Sequence, residues 1–416
     1  MTEFYTGSPL LPEDLWYRDD FIAQLWEDLQ NQHVILAAPR RTGKTSVMDH
    51  MAARPHNEFC AVSVFVQDLD HPREFLLTLL DAFHQKAPNV FRRVFETASG
   101  WIRNQLDRIS DVELAGFKVA LREGLPNTDD AWKTLGNEQF FPPVRKSGIR
   151  LLFIVDEFPD FILNMHRNHP HLVQPFLSWL RGHCMKPAPP KDNIRWLLGG
   201  SVNLSTTLDS LGALDLVNEF HVAELPVLTD DQVQDFVRRM LTHRKVQFAP
   251  EVPACVARRL GRPVPYFLQL MTQQLFRAWR QDQQTLSNSD VDACFDALIV
   301  SSAARDKLQH FYSRIQRYYS EPKRSAAYEL LAEISLSSDG LTRTQLLQCF
   351  ERVLQNQALT VAAHERKQLL HQLLRDLEND FYIVELTQED QLEPNAASRY
   401  DFASGLLKSW WKKYYA

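Results

Sequence analysis

Apolar and polar positions along this chain follow two different periods, and the switches between them outline its architecture. From Arg18, the residues Phe21, Ile22, Leu25, Trp26 and Leu29 recur at the spacing of one helical face. Residues 33–38 (HVILAA) then form a short unbroken apolar run, the signature of a strand buried on both faces. A polar segment, PRRTGKTS, leads into a helical pattern, VMDHMAAR. FCAVSVFV predicts a second strand, and HPREFLLTLLDAFHQKA an amphipathic helix. Residues 89–147 read mostly as helices with polar joints. RLLFIVDEF and IRWLLGGS follow as a third and a fourth strand, with the helix FLSWLRGHCM between them. VNEFHVAEL is a short fifth strand. Strands alternating with helices imply a parallel sheet flanked by helices.

After Pro226 the strand signal stops. TDDQVQDFVRRMLTHR opens with a threonine cap and acids, as a helix start should. Three more helices follow, EVPACVARRL, PYFLQLMTQQLFRAW and DVDACFDALIV. From about Asp306 the pattern changes again, to three helices (AAYELLAEISL, TRTQLLQCFERVLQ, HERKQLLHQLLRDLE) and two strands, DFYIVELT and SRYDFA. The helix SGLLKSWWKKYYA comes last. Three helices with a β-hairpin describe a winged helix. The expected fold is therefore α/β: a parallel sheet with a helical insertion at 89–147, then an all-α domain, then a winged-helix C-terminal domain. The expected boundaries are 1–226, 227–304 and 305–416.

Composition changes this picture little. Acids outnumber Lys and Arg by 52 to 46, a formal net charge of -6, which disfavours wholesale coating of nucleic acid. The cysteines, Cys60, Cys184, Cys255, Cys294 and Cys349, are scattered and never form a CxxC pair, as expected of free thiols in a reducing cytoplasm. The N-terminus has early acids and no long apolar stretch, and no run has the length of a membrane span. The expected location is cytoplasmic, with no membrane contact.

Candidate chemistry is concentrated at two strand ends. The loop Ala38, Pro39, Arg40, Arg41, Thr42, Gly43, Lys44, Thr45, Ser46 matches the phosphate-binding loop, or Walker A pattern, with alanine in place of its first glycine. Gly43 lets the backbone approach the phosphates, Lys44 supplies a cation, and the Thr45 hydroxyl can ligate Mg²⁺. The helix that follows turns its N-terminal dipole to the same anion. Asp156 and Glu157 close the third strand after five apolar residues, as a Walker B pair does. Asp156 can hold Mg²⁺ through water, and Glu157 can polarise the attacking water. The cofactors expected are ATP and Mg²⁺. Beyond the fourth strand, Ser201 or Asn203 is either a polar sensor of the γ-phosphate and the attacking water or a cap for the helix NLSTTLDSL.

The succession PRRTGKTS, FIVDEF, LGGSVNL and GRPVPYFLQ resembles the prokaryotic AAA+/STAND ATPases often called archaeal-type ATPases, over about Pro12 to Ala304. The C-terminal winged helix fits the same group. The resemblance implies an acid-bearing strand near the phosphate-loop strand and a helical lid over the adenine. It implies adenine contacts from Tyr17 and Arg18, with Tyr17 where the family has glycine. It also implies a nucleotide-facing turn at Gly261, Arg262, Pro263, Pro265 and Tyr266. A transition-state arginine is expected as well, in cis or from a neighbouring subunit. Arg40, Arg41, Arg181 and Arg195 are the cis candidates, and the sequence does not choose among them.

The implied activity is an ATPase switch that couples nucleotide state to a protein partner or to homo-oligomer assembly. The alternative is an ATP-locked DNA-binding or regulatory subunit of a mobile-element or defence system, with little turnover. DNA is the lesser partner on sequence grounds. The third winged-helix helix sets Arg366, Lys367 and Arg375 against Glu365, Asp376 and Glu378, and these charges cancel. In the last helix, lysines around Trp410, Trp411, Tyr414 and Tyr415 suit core packing better than base stacking.

Overall fold

The computed structural model describes the chain except residues 1–3, 5–9, 39–40, 57, 97–101, 103–127, 129, 186–190, 201–206, 209–210, 212, 214–217, 263, 360 and 387–397. Most of the 89–147 insertion, together with Pro39, Arg40, Ser201, Asn203 and Pro263, thus lies outside the described residues. Two compact units are present. The N-terminal unit comprises Pro9–Ala38 and Gly43–Pro226. The C-terminal unit comprises Val227–Ala416 together with Met1–Ser8 and Pro39–Thr42.

The N-terminal unit is built on β1 (His33–Ala37), β2 (Phe59–Phe65), β3 (Arg150–Asp156), β4 (Ile194–Gly200) and β5 (Phe220–Glu224). All pairings are parallel, in the order β2-β3-β4-β1-β5. One strand, β4, therefore separates the phosphate-loop strand β1 from the acid-bearing strand β3. Side chains on these strands alternate between two apolar layers. Val34, Leu36, Leu152, Ile154 and Leu197 enter one layer with α1 (Asp19–Asn31) and α2 (Lys44–Ala53). Ile35, Leu151, Phe153, Val155, Trp196 and Leu198 enter the other. There they meet α3 (Pro72–Lys86), α4 (Pro88–Glu96), α5 (Ala131–Thr134), α6 (Phe141–Ser147), α7 (Phe158–Asn168) and α8 (Pro170–Met185). Burial on both faces is why the strands appear in the sequence as continuous apolar runs. The second layer is largely aromatic. Phe75 stacks on Phe161 at 5.1 Å and meets Phe176 edge to face at 5.3 Å, contacts that add to area burial.

Arg195 is a core residue. It is 1% exposed, and its guanidinium donates to the carbonyls of Leu29, Gln30, Asp192 and Ile194. It thereby satisfies two of the last carbonyls of α1, groups that no residue further along the helix can pair. Burial lowers its pKa to about 10. Arg181, on α8, pairs with Glu219 at 2.9 Å, just before β5 begins. Arg195 lies at the start of β4 and Arg181 is tied to the residue before β5, whereas the phosphate loop and Asp156 sit at strand ends. The strands run about 3.3 Å per residue, so roughly 15–20 Å lies between the two edges. Neither arginine serves this chain's own phosphate loop.

The C-terminal unit begins with α9 (Asp230–His243), α10 (Val252–Leu260), α11 (Pro265–Asp282), α12 (Asn288–Val300) and α13 (Ser302–Tyr318). Thr229 caps α9 in a reciprocal capping box with Gln232. Next come α14 (Lys323–Leu336), β6 (Leu341–Thr342), α15 (Arg343–Asn356), α16 (Ala363–Asn379), β7 (Ile383–Leu386), β8 (Arg399–Phe402) and α17 (Gly405–Tyr414). The strands form an antiparallel sheet in the order β6-β8-β7, with Leu341 opposite Tyr400 and Ile383 opposite Phe402. β6 lies between two helices of the sequence pattern, where no strand was expected; two residues are too few for a period to register. Trp410 and Trp411 are fully buried, so α17 packs through its indoles while Lys412 and Lys413 remain in solvent. Backbone meets backbone where α17 begins. Gly261 bridges Ser404, and a Cβ on Gly405 would lie 2.4 Å from the Arg259 carbonyl oxygen. All five cysteines are free thiols, and four are buried. No helix among the described residues is long and apolar enough to cross a membrane.

Candidate functional site

The strongest constellation in the N-terminal unit lies where β1 and β3 end. Ala38, 1% exposed, follows β1, and Gly43 starts α2 with φ 99°, a left-handed conformation that glycine adopts at no steric cost. Lys44 is the first residue of α2. Its ammonium lies 3.0 Å from Asp156 Oδ1 and 3.6 Å from Glu157 Oε1, and all three side chains are largely buried. The Thr45 hydroxyl donates to Asp156 Oδ2 at 2.6 Å. Asp156 Oδ1 also accepts from the Glu157 amide at 2.9 Å. Glu157 has φ 58°, a conformation rarely occupied by a non-glycine residue; such backbone often marks functional sites. The turn at Glu157 starts α7, a helix the sequence pattern did not single out.

The cluster unites an ammonium and a hydroxyl from the start of α2 with two adjacent carboxylates at the end of β3. Hard oxygen donors such as Thr45 Oγ1 and Asp156 Oδ2 suit Mg²⁺, and the residues present fit that ion. Asp49, one helical turn past Thr45, joins the same electrostatic neighbourhood. Burial, and then the charge of Asp156, raises its carboxyl pKa. Sequence reasoning missed Asp49, because it lies outside the loop pattern and only the fold brings it near β3.

Gly199 closes the site from β4. A Cβ there would lie 2.6 Å from Asp156 Oδ1 and 2.8 Å from the Met48 sulfur. Met48 can swing aside, but Asp156 is held by Lys44 and Thr45. Gly199→Ala is therefore expected to cost about 1–3 kcal/mol of stability. Thermal melts check this; a variant that melts with wild type would refute the packing argument.

The remaining predicted residues are distributed as follows. The Ser46 hydroxyl accepts from the Leu10 amide at 3.0 Å, and His50 contacts the Pro12 carbonyl at 2.8 Å, so α2 is pinned to the segment before α1. Arg18 is buried and donates to the Pro226 carbonyl at 2.8 Å, and burial lowers its pKa to about 10. Tyr17 has φ 61°, the backbone conformation for which glycine is the natural residue, and its ring meets Trp16 edge to face at 6.0 Å. Thr42 is buried, and Arg41 has φ 68°. In the C-terminal unit, to which residues 39–42 belong, the Arg41 guanidinium lies 4.3 Å above the Tyr266 ring, a cation–π contact. Pro265 and Tyr266 open α11, after Gly261 turns the chain with φ 68°. Pro39, Arg40, Ser201 and Asn203 lie outside the described residues.

No family model and no curated protein matches this chain. Solved structures do. The Walker-type ATPase PABY2304 of Pyrococcus abyssi aligns with a TM-score of 0.61 at 15% identity, over 98% of this chain and 99% of that one. The Aeropyrum pernix ORC2 protein, solved as ADPNP–ADP complexes, aligns with a TM-score of 0.51 at 12% identity, over 96% of this chain and 92% of that one. Identities this low speak to fold alone. The chain has a parallel P-loop-type sheet and shares the overall fold of these two structures, the first of them a Walker-type ATPase.

Proposed function

We propose that this protein binds Mg-ATP and hydrolyses it, and that it uses the nucleotide state to control a protein partner or its own assembly. The observation that carries this reading is the single hydrogen-bonded cluster of Lys44, Thr45, Asp156 and Glu157. Backbone amides from Gly43 to Ser46, at the N-terminus of α2, form the anion seat, and Gly43 keeps it open. Lys44 leaves its carboxylate partners to hold the phosphates. Thr45 and Asp156 would hold Mg²⁺, which when bound neutralises phosphate charge. Glu157 orients a water towards the γ-phosphate and takes up its proton. Ser201 or Asn203 senses the phosphate from the end of β4. Tyr17 and Arg18 flank the base, with Arg18 acting through its hold on the Pro226 carbonyl.

In this reading residues 1–226 form the ATPase core, 227–304 the lid and 305–416 a winged helix, in a cytoplasmic protein. The order α14-β6-α15-α16-β7-β8 supports the last assignment, because it supplies three helices and a hairpin in the sequence a winged helix requires. The test uses the wild-type protein. Isothermal titration with Mg-ATP is expected to show one site per chain. Phosphate release should then be measurable, and light scattering should register a nucleotide-dependent change of mass. Absence of nucleotide binding would overturn the proposal.

A further inference from the structure

We infer that a cavity in the C-terminal unit binds a small phosphorylated ligand, at a site that shares no residue with the Lys44, Thr45, Asp156 and Glu157 cluster. The cavity has a volume of about 290 Å³ and lies along one face of α13. His310, Arg314 and Arg317 recur there at i, i+4 and i+7, a stripe about 10 Å long, and Ser313 adds a hydroxyl. Arg41, which belongs to this unit by its contacts, supplies a third guanidinium to the lining. Among the described residues no acid lines the cavity. His310, Ser313 and Arg317 are exposed, so the cavity opens to solvent on their side, whereas Arg314 is buried.

The cations are fixed before any ligand arrives. The Arg314 side chain is only 7% exposed, and Asp380, which does not line the cavity, holds it at 2.9 Å. Asp380 in turn accepts from the Tyr319 hydroxyl at 2.9 Å. The Tyr382 hydroxyl donates to the Phe311 carbonyl at 2.6 Å and ties α13 down at the cavity. The Tyr318 ring lies 5.2 Å from the Arg314 guanidinium and 5.3 Å from that of Arg317, so one ring orients two forks and reduces the ordering cost of binding. Arg314 Nε is buried and has no hydrogen-bond partner among the described residues. A buried donor left unpaired is costly, and an acceptor in the cavity would relieve that cost.

Guanidinium forks match carboxylates and phosphates alike, and donor number separates the two. A phosphoryl group offers three terminal oxygens where a carboxylate has two, and three arginines with a serine hydroxyl suit the larger set. With Arg314 balanced by Asp380, the charges of Arg41 and Arg317 match a phosphate monoester, about −1.5 to −2 near neutral pH. Size sets the class further. Ligand pockets run roughly 300–1,000 Å³, and this cavity is at their small end, which suits a small monoester or diphosphate. Such a ligand would engage the chain at Arg41, just ahead of the Walker A lysine.

The test is calorimetric titration of pyrophosphate, without Mg²⁺ or nucleotide, into the full chain carrying Lys44→Ala, which takes the phosphate loop out of play. One site per chain is expected. Adding Arg317→Ala should weaken pyrophosphate binding by roughly tenfold or more. Arg317→Lys keeps the charge but not the fork, and should recover only part of that loss. Arg317 is exposed, so these variants fold where Arg314→Ala would strand Asp380. Citrate, a carboxylate of comparable charge, should bind at least tenfold more weakly than pyrophosphate. Should Lys44→Ala not fold, as melting curves would show, the comparison is made between wild type and Arg317→Ala alone. The inference is overturned if the folded chain does not bind pyrophosphate, if Arg317→Ala binds it as tightly as its parent, or if citrate binds equally well. Arg317→Ala in the wild-type chain should leave binding of a fluorescent ATP analogue unchanged, so failure of the cavity and failure of the ATP site give different results.

Discussion

Lys44→Ala is expected to reduce affinity for Mg-ATP by about 10- to 100-fold. A hydrogen bond from an ammonium to an anion contributes about 1.5–3 kcal/mol, and each 1.4 kcal/mol is tenfold in affinity. The structure adds a second effect, visible without ligand. Lys44 is the cation between Asp156 and Glu157, and its side chain is only 9% exposed. Removing one member of a buried, hydrogen-bonded charge group costs on the order of 3 kcal/mol, because the partner carboxylates lose their counter-charge. The variant should therefore melt below wild type even in the absence of nucleotide, and Mg²⁺ alone should restore more stability to it than it adds to wild type. Titration of a fluorescent ATP analogue measures the first effect and differential scanning calorimetry the second. Retention of wild-type affinity would remove Lys44 from the phosphate site.

Glu157→Gln is expected to separate binding from turnover. The amide keeps the shape and the φ 58° backbone of Glu157 but cannot take a proton from water. General-base assistance contributes about 10²–10⁴ in rate, and phosphate release should fall by that range. Affinity should hold, or rise slightly, because the substitution also removes the 3.6 Å attraction that draws Lys44 away from the phosphates. The variant should then retain the ATP-bound assembly state, seen as a persistent mass shift in light scattering. Full hydrolysis by Glu157→Gln would sink the assignment of Glu157 as the base.

Strands buried on both faces were legible in the sequence because burial forces unbroken apolar runs, as in VILA of β1 and LLFIV of β3. Helix starts were legible where a cap announces them, as at Thr229. Strand order was not, because the insertion of β4 between β1 and β3 is decided by packing of the whole sheet and leaves no local trace. Arg195 illustrates the same gap in chemistry. On the page it is an arginine near a motif; in the fold it ties off the carbonyls of α1. Tyr17 stands at the limit of both approaches: the family resemblance placed glycine there, and the left-handed backbone gives the reason.

The contact between Gly405 and the Arg259 carbonyl has a mechanical consequence. Side chains that meet can yield by changing rotamer and so absorb a small displacement. Two main chains in direct contact have no such slack. Residues 259–261 and 404–405 therefore meet main chain to main chain, and the absence of a methyl group at residue 405 is what lets that junction close.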